Sequence, residues 1–380
     1  MLLLYVSLWF VARPLGTPLL IFVVGACVLS VLFFRGGFSF QGRNYFFYFF
    51  FVWVFYLIGS YFRIFDASYT SFYDNSVAFQ QSFLYAVFFV GFLFWYSVLN
   101  TIELNRSQLF RYLLLTWGLA SLIQTVMWVD SKGVADSFMF GTLHNSEMLS
   151  VIFLVYLIYN ALLNKKILML AAFIVLMAFS VSSQSFIAFF LALAFSIIPK
   201  RMAPVFSLLF VFIFVLFTFV AMQVPELFYE YDPNTGVRAV FWNDVLESTF
   251  DTLGIGVGFG TEFLREVFYI GVHDVVILDV DDSLAAFMNT GTHNLFFDIL
   301  FRLGVLGLGS FLFFFYSVSA YLWKEKADPY DYWIFCVLFL TLFVNVALSV
   351  AFVFGTSFLF AWLAFKGSKK GRFCENIICS

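Results

Sequence analysis

Gly291-Thr-His-Asn-Leu-Phe-Phe-Asp-Ile-Leu-Phe-Arg-Leu-Gly-Val-Leu-Gly307 decides how this chain is read. It starts polar, turns apolar within a few residues, and from Leu303 to Trp323 carries no charge at all. A membrane-crossing helix needs about 20 apolar residues, and Asn294–Trp323 supplies them. Thr292, His293 and Asn294 are therefore expected at the mouth of a span, where water meets lipid.

The composition extends that reading to the whole chain. Of 380 residues, 63% are hydrophobic and only 11% are charged, with 60 Phe. A water-soluble domain carries about a quarter charged residues, so there is too little charge here to coat a surface. The mean hydropathy of +0.97 agrees. The fold class predicted is all-α, a polytopic bundle of transmembrane helices. A β-barrel is excluded because the apolar runs are continuous, not alternating. No Lys/Arg-rich stretch points to nucleic acid. The scattered Cys27, Cys336, Cys374 and Cys379 have neither metal spacing nor the look of a disulfide framework. Met1–Phe10 lacks a basic start and a small-residue cleavage site, so it reads as retained.

Working outward, the predicted spans are Pro18–Phe34, Tyr45–Phe62, Phe79–Leu99, Leu109–Val129, Met148–Leu163, Ile167–Val181, Phe186–Ile198, Pro204–Met222 and Asn294–Trp323. Met1–Ala12 is short for a span, and Trp333–Phe365 fits one long helix or two short ones. Charge chooses between them. With about twelve spans and both ends cytoplasmic, Arg35, Arg43, Arg106, Arg111, Lys165, Lys166, Lys200, Arg201, Lys324, Lys326, Lys366, Lys369, Lys370 and Arg372 fall inside. Only Arg13, Arg63, Lys132, Arg238 and Arg265 fall outside. A single helix over Trp333–Phe365 would export the Lys366–Arg372 cluster, so two are predicted. The expected divisions are N-terminal helices over 1–222, an external loop over 223–292, C-terminal helices over 293–366 and a solvated tail over 367–380, the solvated stretch beginning at Lys366. An external loop has no access to ATP or nucleotide sugars, so any chemistry there needs a substrate that arrives activated.

That loop holds 12 of the 23 acidic residues, among them Asp279, Asp281 and Asp282, which read as solvated ahead of any metal site. Arg238 and Arg265 are its only basic residues. They stand against the topological trend, and a guanidinium fork suits a phosphate. Arg238 opens a predicted amphipathic helix, Val237–Leu253, with Val240, Phe241, Val245 and Phe250 spaced for burial. Gly254-Ile-Gly-Val-Gly-Phe-Gly260 follows. Its bare N–H groups suit an anion; a tightly packed turn explains the glycines equally well. His293 can accept a proton from a hydroxyl at neutral pH. Thr292 and Asn294 are placed to fix its tautomer, and Gly304 and Gly307 fall near its helical face, where small residues would leave room below it. Asp298 and Arg302, four apart, read as a buried ion pair, with Arg302 reaching a lipid phosphate as the alternative. His144 and Gln184 sit at outer turns that can face the same cavity; His273 reads as structural or exposed.

These features resemble the O-antigen polymerase and O-antigen ligase family. The resemblance is carried by many spans, a large late external loop, His293-Asn294 opening the next helix, and Gly304-Val-Leu-Gly307 within it. Arg238-Ala-Val-Phe-Trp-Asn-Asp244 followed by Leu253-Gly-Ile-Gly-Val-Gly258 adds to it, so the likeness is sharp over about Val237–Gly307. The chain departs from the family in carrying Gln184 where a Ser-Arg pair is common, and Arg302 where an acid is common. The resemblance implies a glycosyltransferase of the bacterial inner membrane. Its donor would be an oligosaccharide on undecaprenyl pyrophosphate; its acceptor would be a sugar hydroxyl of another lipid-linked repeat unit, with lipid A-core as the ligase alternative. His293 and Arg238 would be catalytic, and Arg265, Arg302, Asn294, His144 and Gln184 would bind substrate. No cofactor or metal is implied, and a chain-length regulator is an expected partner. The competing class is a flippase for the same lipid-linked sugar, against which no internal repeat is visible.

Overall fold

The computed structural model describes residues 40, 42–65, 75–101, 183–231, 233–260, 292, 294–324, 327–344 and 350–368. Among them every regular element is helical: α1 (Arg43–Tyr61), α2 (Asn75–Thr101), α3 (Ser183–Ile197), α4 (Ala203–Gln223), α5 (Pro225–Tyr231), α6 (Pro233–Asp251), α7 (Leu295–Ser319), α8 (Tyr321–Lys324), α9 (Pro329–Val344) and α10 (Val350–Gly367). A 3-10 turn, Lys200–Met202, leads into α4. Among the described residues four stretches are long and apolar enough to cross a membrane: Arg43–Tyr61, Gln81–Asn100, Lys200–Gln223 and Leu295–Ser319. The spans predicted at Met1–Ala12, Pro18–Phe34, Leu109–Val129, Met148–Leu163 and Ile167–Val181 lie outside the described residues.

α1 and α4 are apolar on nearly every face, as helices bathed in lipid can be. On α1, Phe46, Phe49, Trp53 and Tyr56 are buried, whereas Tyr48, Phe51, Phe55 and Ile58 are exposed. On α4, Val205, Leu208, Phe212, Leu216 and Phe219 are all exposed. So much bare apolar surface on one helix is untenable in water and suits a bilayer.

The core is aromatic. α7 packs along α1, and α10 along α2. Where these pairs meet, Phe314 stacks on Phe360 at 5.5 Å and Phe46 meets Phe89 edge-on at 5.4 Å. Such ring pairs add roughly 0.5–1.5 kcal/mol each beyond burial. α9 and α10 confirm two helices over Trp333–Phe365. Lys366, in the last turn of α10, lies 3.9 Å from Asp331, in the first turn of α9. The two helices therefore run antiparallel and return the chain to the level where it entered. The predicted solvated stretch beginning at Lys366 is corrected here: its lysine is buried, because α10 runs two residues past Phe365 and brings it onto the aspartate.

α7 departs from the uninterrupted helix predicted over Asn294–Trp323. Gly304 has φ 62° and ψ −166°, so the helix breaks there, and Ser319 closes it before the short α8.

Candidate functional site

The break in α7 frees backbone groups that a membrane interior cannot hydrate. The glycine segment after α6 takes them up. Val257 N donates to Phe301 O at 2.9 Å, Gly258 N to Arg302 O at 3.0 Å, and Val305 N to Gly254 O at 2.8 Å. The fit requires glycine on both sides. A Cβ at Gly256 would lie 2.5 Å from Gly304 N, and one at Gly304 would lie 2.2 Å from Ile255 O.

The remaining N–H groups of the segment are also occupied. Gly254 N donates to Thr249 O, and Ile255 N to Thr252 O. Gly256 N donates to the Thr252 hydroxyl, Phe259 N to the Ser60 hydroxyl at 2.7 Å and Gly260 N to Gln81 Oε1 at 2.9 Å. The Tyr56 hydroxyl donates to Ile255 O. Of the two readings of these glycines, the packed turn holds and the anion cradle does not: every N–H from Gly254 to Gly260 already has a partner inside the protein.

α6 lies between the end of α4 and the start of α7. Phe241, Val245, Val257, Leu300 and Phe301 form one small core, and Ala221, Met222, Ala239 and Trp242 another. Asn243 Nδ2 donates to Met222 O at 2.8 Å. Phe241 and Val245 are buried as their spacing predicts, but Phe250 is 76% exposed. Nine residues separate Phe250 from Phe241, two and a half helical turns, which puts them on opposite faces. The buried face instead takes in Trp242, which stacks on Phe297 at 5.8 Å and donates Nε1–H to Thr292 O at 3.2 Å. Arg238, half-buried, precedes Trp242 by one turn on the same face.

The mouth of α7 is closely bonded. Asn294 is its N-cap, with Oδ1 accepting from Phe296 N at 3.0 Å. The Thr292 hydroxyl donates to Asn294 O at 2.7 Å and accepts from Asn294 N at 3.1 Å. Asp298 Oδ1 accepts Thr292 N–H at 2.7 Å, folding the chain back over the first turn. Thr292 is thus engaged with the cap; its predicted role of fixing the His293 tautomer involves a residue outside the described ones. The room expected at Gly304 and Gly307 is absent. Backbone of the glycine segment fills the first position and the Leu303 side chain abuts the second.

Asp298 and Arg302 are both buried and interact electrostatically, with Tyr85 of α2 in the field of both. Arg302 Nη1 donates to Gly258 O at 3.4 Å, and its guanidinium lies 4.9 Å from the Phe301 ring. Its place is inside the bundle, at the joint with the glycine segment, and not at a lipid headgroup. Gln184 falls in the first turn of α3. His293, Arg265, His144, His273 and the Asp279–Asp282 group lie outside the described residues. The structure thus brings Arg238's helix to Thr292, beside the N-cap Asn294, and sets Arg302 about two turns deeper, against the glycine segment.

Reading the sequence missed the part played by Trp242, Asp298, Ser60 and Gln81. An acid in the first turn of a helix capped by Asn is a legible signal for Asp298. Nothing local marks Ser60 or Gln81, whose partners lie 199 and 179 residues away in sequence.

The fold and this joint define a helical chain with several helices fit for a membrane and a polar, closely bonded helix mouth. No protein-family model, no curated protein and no solved structure matches it.

Proposed function

We propose that the chain is a polysaccharide polymerase of the bacterial cytoplasmic membrane, with about twelve spans and the 223–292 segment on the outer face. It transfers a glycan from undecaprenyl pyrophosphate to a sugar hydroxyl of a second lipid-linked repeat unit. His293 takes the proton of that hydroxyl, and Arg238, with Arg265, stabilises the departing pyrophosphate. One displacement inverts the anomeric centre, and the leaving group carried by the donor supplies the driving force that no cytosolic nucleotide can supply there.

The observation that carries the reading is the Trp242–Thr292 hydrogen bond at 3.2 Å. It joins the helix bearing Arg238 to the residue next to His293 in sequence, which supports a reading in which the two act together. The test is His293→Ala and Arg238→Ala in a host lacking its own polymerase, with lipopolysaccharide run on a gel. Loss of the ladder of chain lengths in both is expected. A normal ladder from His293→Ala removes the histidine from the chemistry.

The break at Gly304 favours the flippase reading, because transporters often build their sites on discontinuous helices. Here, though, the freed groups of Phe301, Arg302 and Val305 are bonded to the glycine segment, so they are not open to a substrate. Reconstitution into vesicles separates the two: a flippase moves lipid-linked sugar unchanged, and a polymerase lengthens it on one face.

A further inference from the structure

The Asn294 amide is divided between two tasks, only one of which the protein fulfils. Its Oδ1 accepts from Phe296 N and so lies over the first turn of α7. Its Nδ2 is on the same planar group and must also lie at the helix mouth. Asn294 is 0% exposed, and Nδ2 has no hydrogen-bond partner. A buried donor without an acceptor is costly, about 1–3 kcal/mol, and is rare enough to require an explanation. Turning the amide over would leave Phe296 N facing a donor, so the cap fixes the orientation.

The chemistry of the missing acceptor follows from the surroundings. A helix N-terminus ordinarily favours an anion. That role is already filled, because the Asp298 carboxylate lies in the first turn and binds Thr292 N–H at 2.7 Å. A pyrophosphate brought to Asn294 would be set against this carboxylate, whereas a neutral oxygen would not. We infer that Asn294 Nδ2 binds a neutral sugar hydroxyl of the acceptor glycan, so that the α7 mouth is the acceptor half of the site and the pyrophosphate is held on the α6 side.

This rests on the polymerase reading and deepens it. It places the acceptor hydroxyl beside position 293, where a base must reach it, and assigns the leaving group to Arg238, one turn from Trp242. The acceptor and donor halves are then separate surfaces that meet at the Trp242–Thr292 contact.

The experiment uses the full chain in lipid nanodiscs, with undecaprenyl pyrophosphate itself as the probe of the donor half, and chain extension in cells as the probe of the whole reaction. Asn294→Ser and Asn294→Asp both keep a capping oxygen and remove the amide donor; Ser adds no second charge beside Asp298. Both should retain undecaprenyl pyrophosphate affinity within about twofold while extension falls about tenfold, the loss of one hydrogen bond. Arg238→Ala should lose both. Loss of undecaprenyl pyrophosphate binding in Asn294→Ser, with an unfolding temperature like the parent's, makes Asn294 a phosphate ligand and overturns the inference. Unchanged extension in Asn294→Ser also overturns it. If the parent chain neither binds undecaprenyl pyrophosphate nor extends glycan, the polymerase reading falls and the acceptor assignment with it.

Discussion

Gly256 and Gly304 touch backbone to backbone, and a side chain on either would collide with the other's segment. The contact joins a loop that follows one helix to a break inside another, and it pins the break in α7 to the end of α6. Both residues have positive φ, 86° and 62°, so glycine is required for conformation as well as for space.

Gly304→Ala and Gly256→Ala should each destabilise the protein by at least about 2 kcal/mol, combining the left-handed penalty with the collision. Thermal unfolding in detergent measures it. A neutral Gly304→Ala would mean that the break in α7 is not locked by the glycine segment.

Trp242→Phe keeps an aromatic ring over Phe297 but removes the Nε1–H that reaches Thr292 O. The expected cost is about 1 kcal/mol in stability, with a larger loss of glycan extension as the 292–294 turn loosens relative to Arg238. Equal activity in the variant and the parent would sever the tie between the two helices and the chemistry.

Asp331 and Lys366 are both buried, with side chains 4% and 5% exposed. Removing one charge takes from the other a buried opposite charge 3.9 Å away, so Asp331→Asn or Lys366→Met alone should cost roughly 3–5 kcal/mol. The double variant should recover most of that. If the single losses simply add in the double, the pair does not join α9 to α10 as argued.

Ser283→Cys, in a background lacking the four native cysteines, reports the side of the membrane on which the acidic segment lies. In intact cells made permeable only at the outer membrane, a membrane-impermeant maleimide should label it. Labelling that appears only after lysis would put the segment in the cytosol, where the proposed donor chemistry has no place.

The helices were legible in the sequence because membrane helices are specified locally: α1, α2, α3, α4 and α7 each begin and end within a few residues of a predominantly apolar predicted span. The two-helix reading of Trp333–Phe365 was legible through charge, and the Lys366–Asp331 pair bears it out while moving the lysine from solvent into the core. Asn294 as the start of a helix was legible too, since Asn favours the N-cap. The glycine segment was only half legible. Spaced glycines announce a close approach, but they do not say to what.

Residue order alone specified a mostly helical, lipid-compatible chain with one polar segment feeding the mouth of an apolar helix, because hydrophobic length and charge act through each residue's own side chain. The break of α7 at Gly304, its filling by Gly254–Gly260 and the tie from Trp242 on Arg238's helix to Thr292 came from packing. Those links are made largely by backbone N–H and C=O groups, which nearly every residue carries alike, so which two segments meet is settled by packing across the fold.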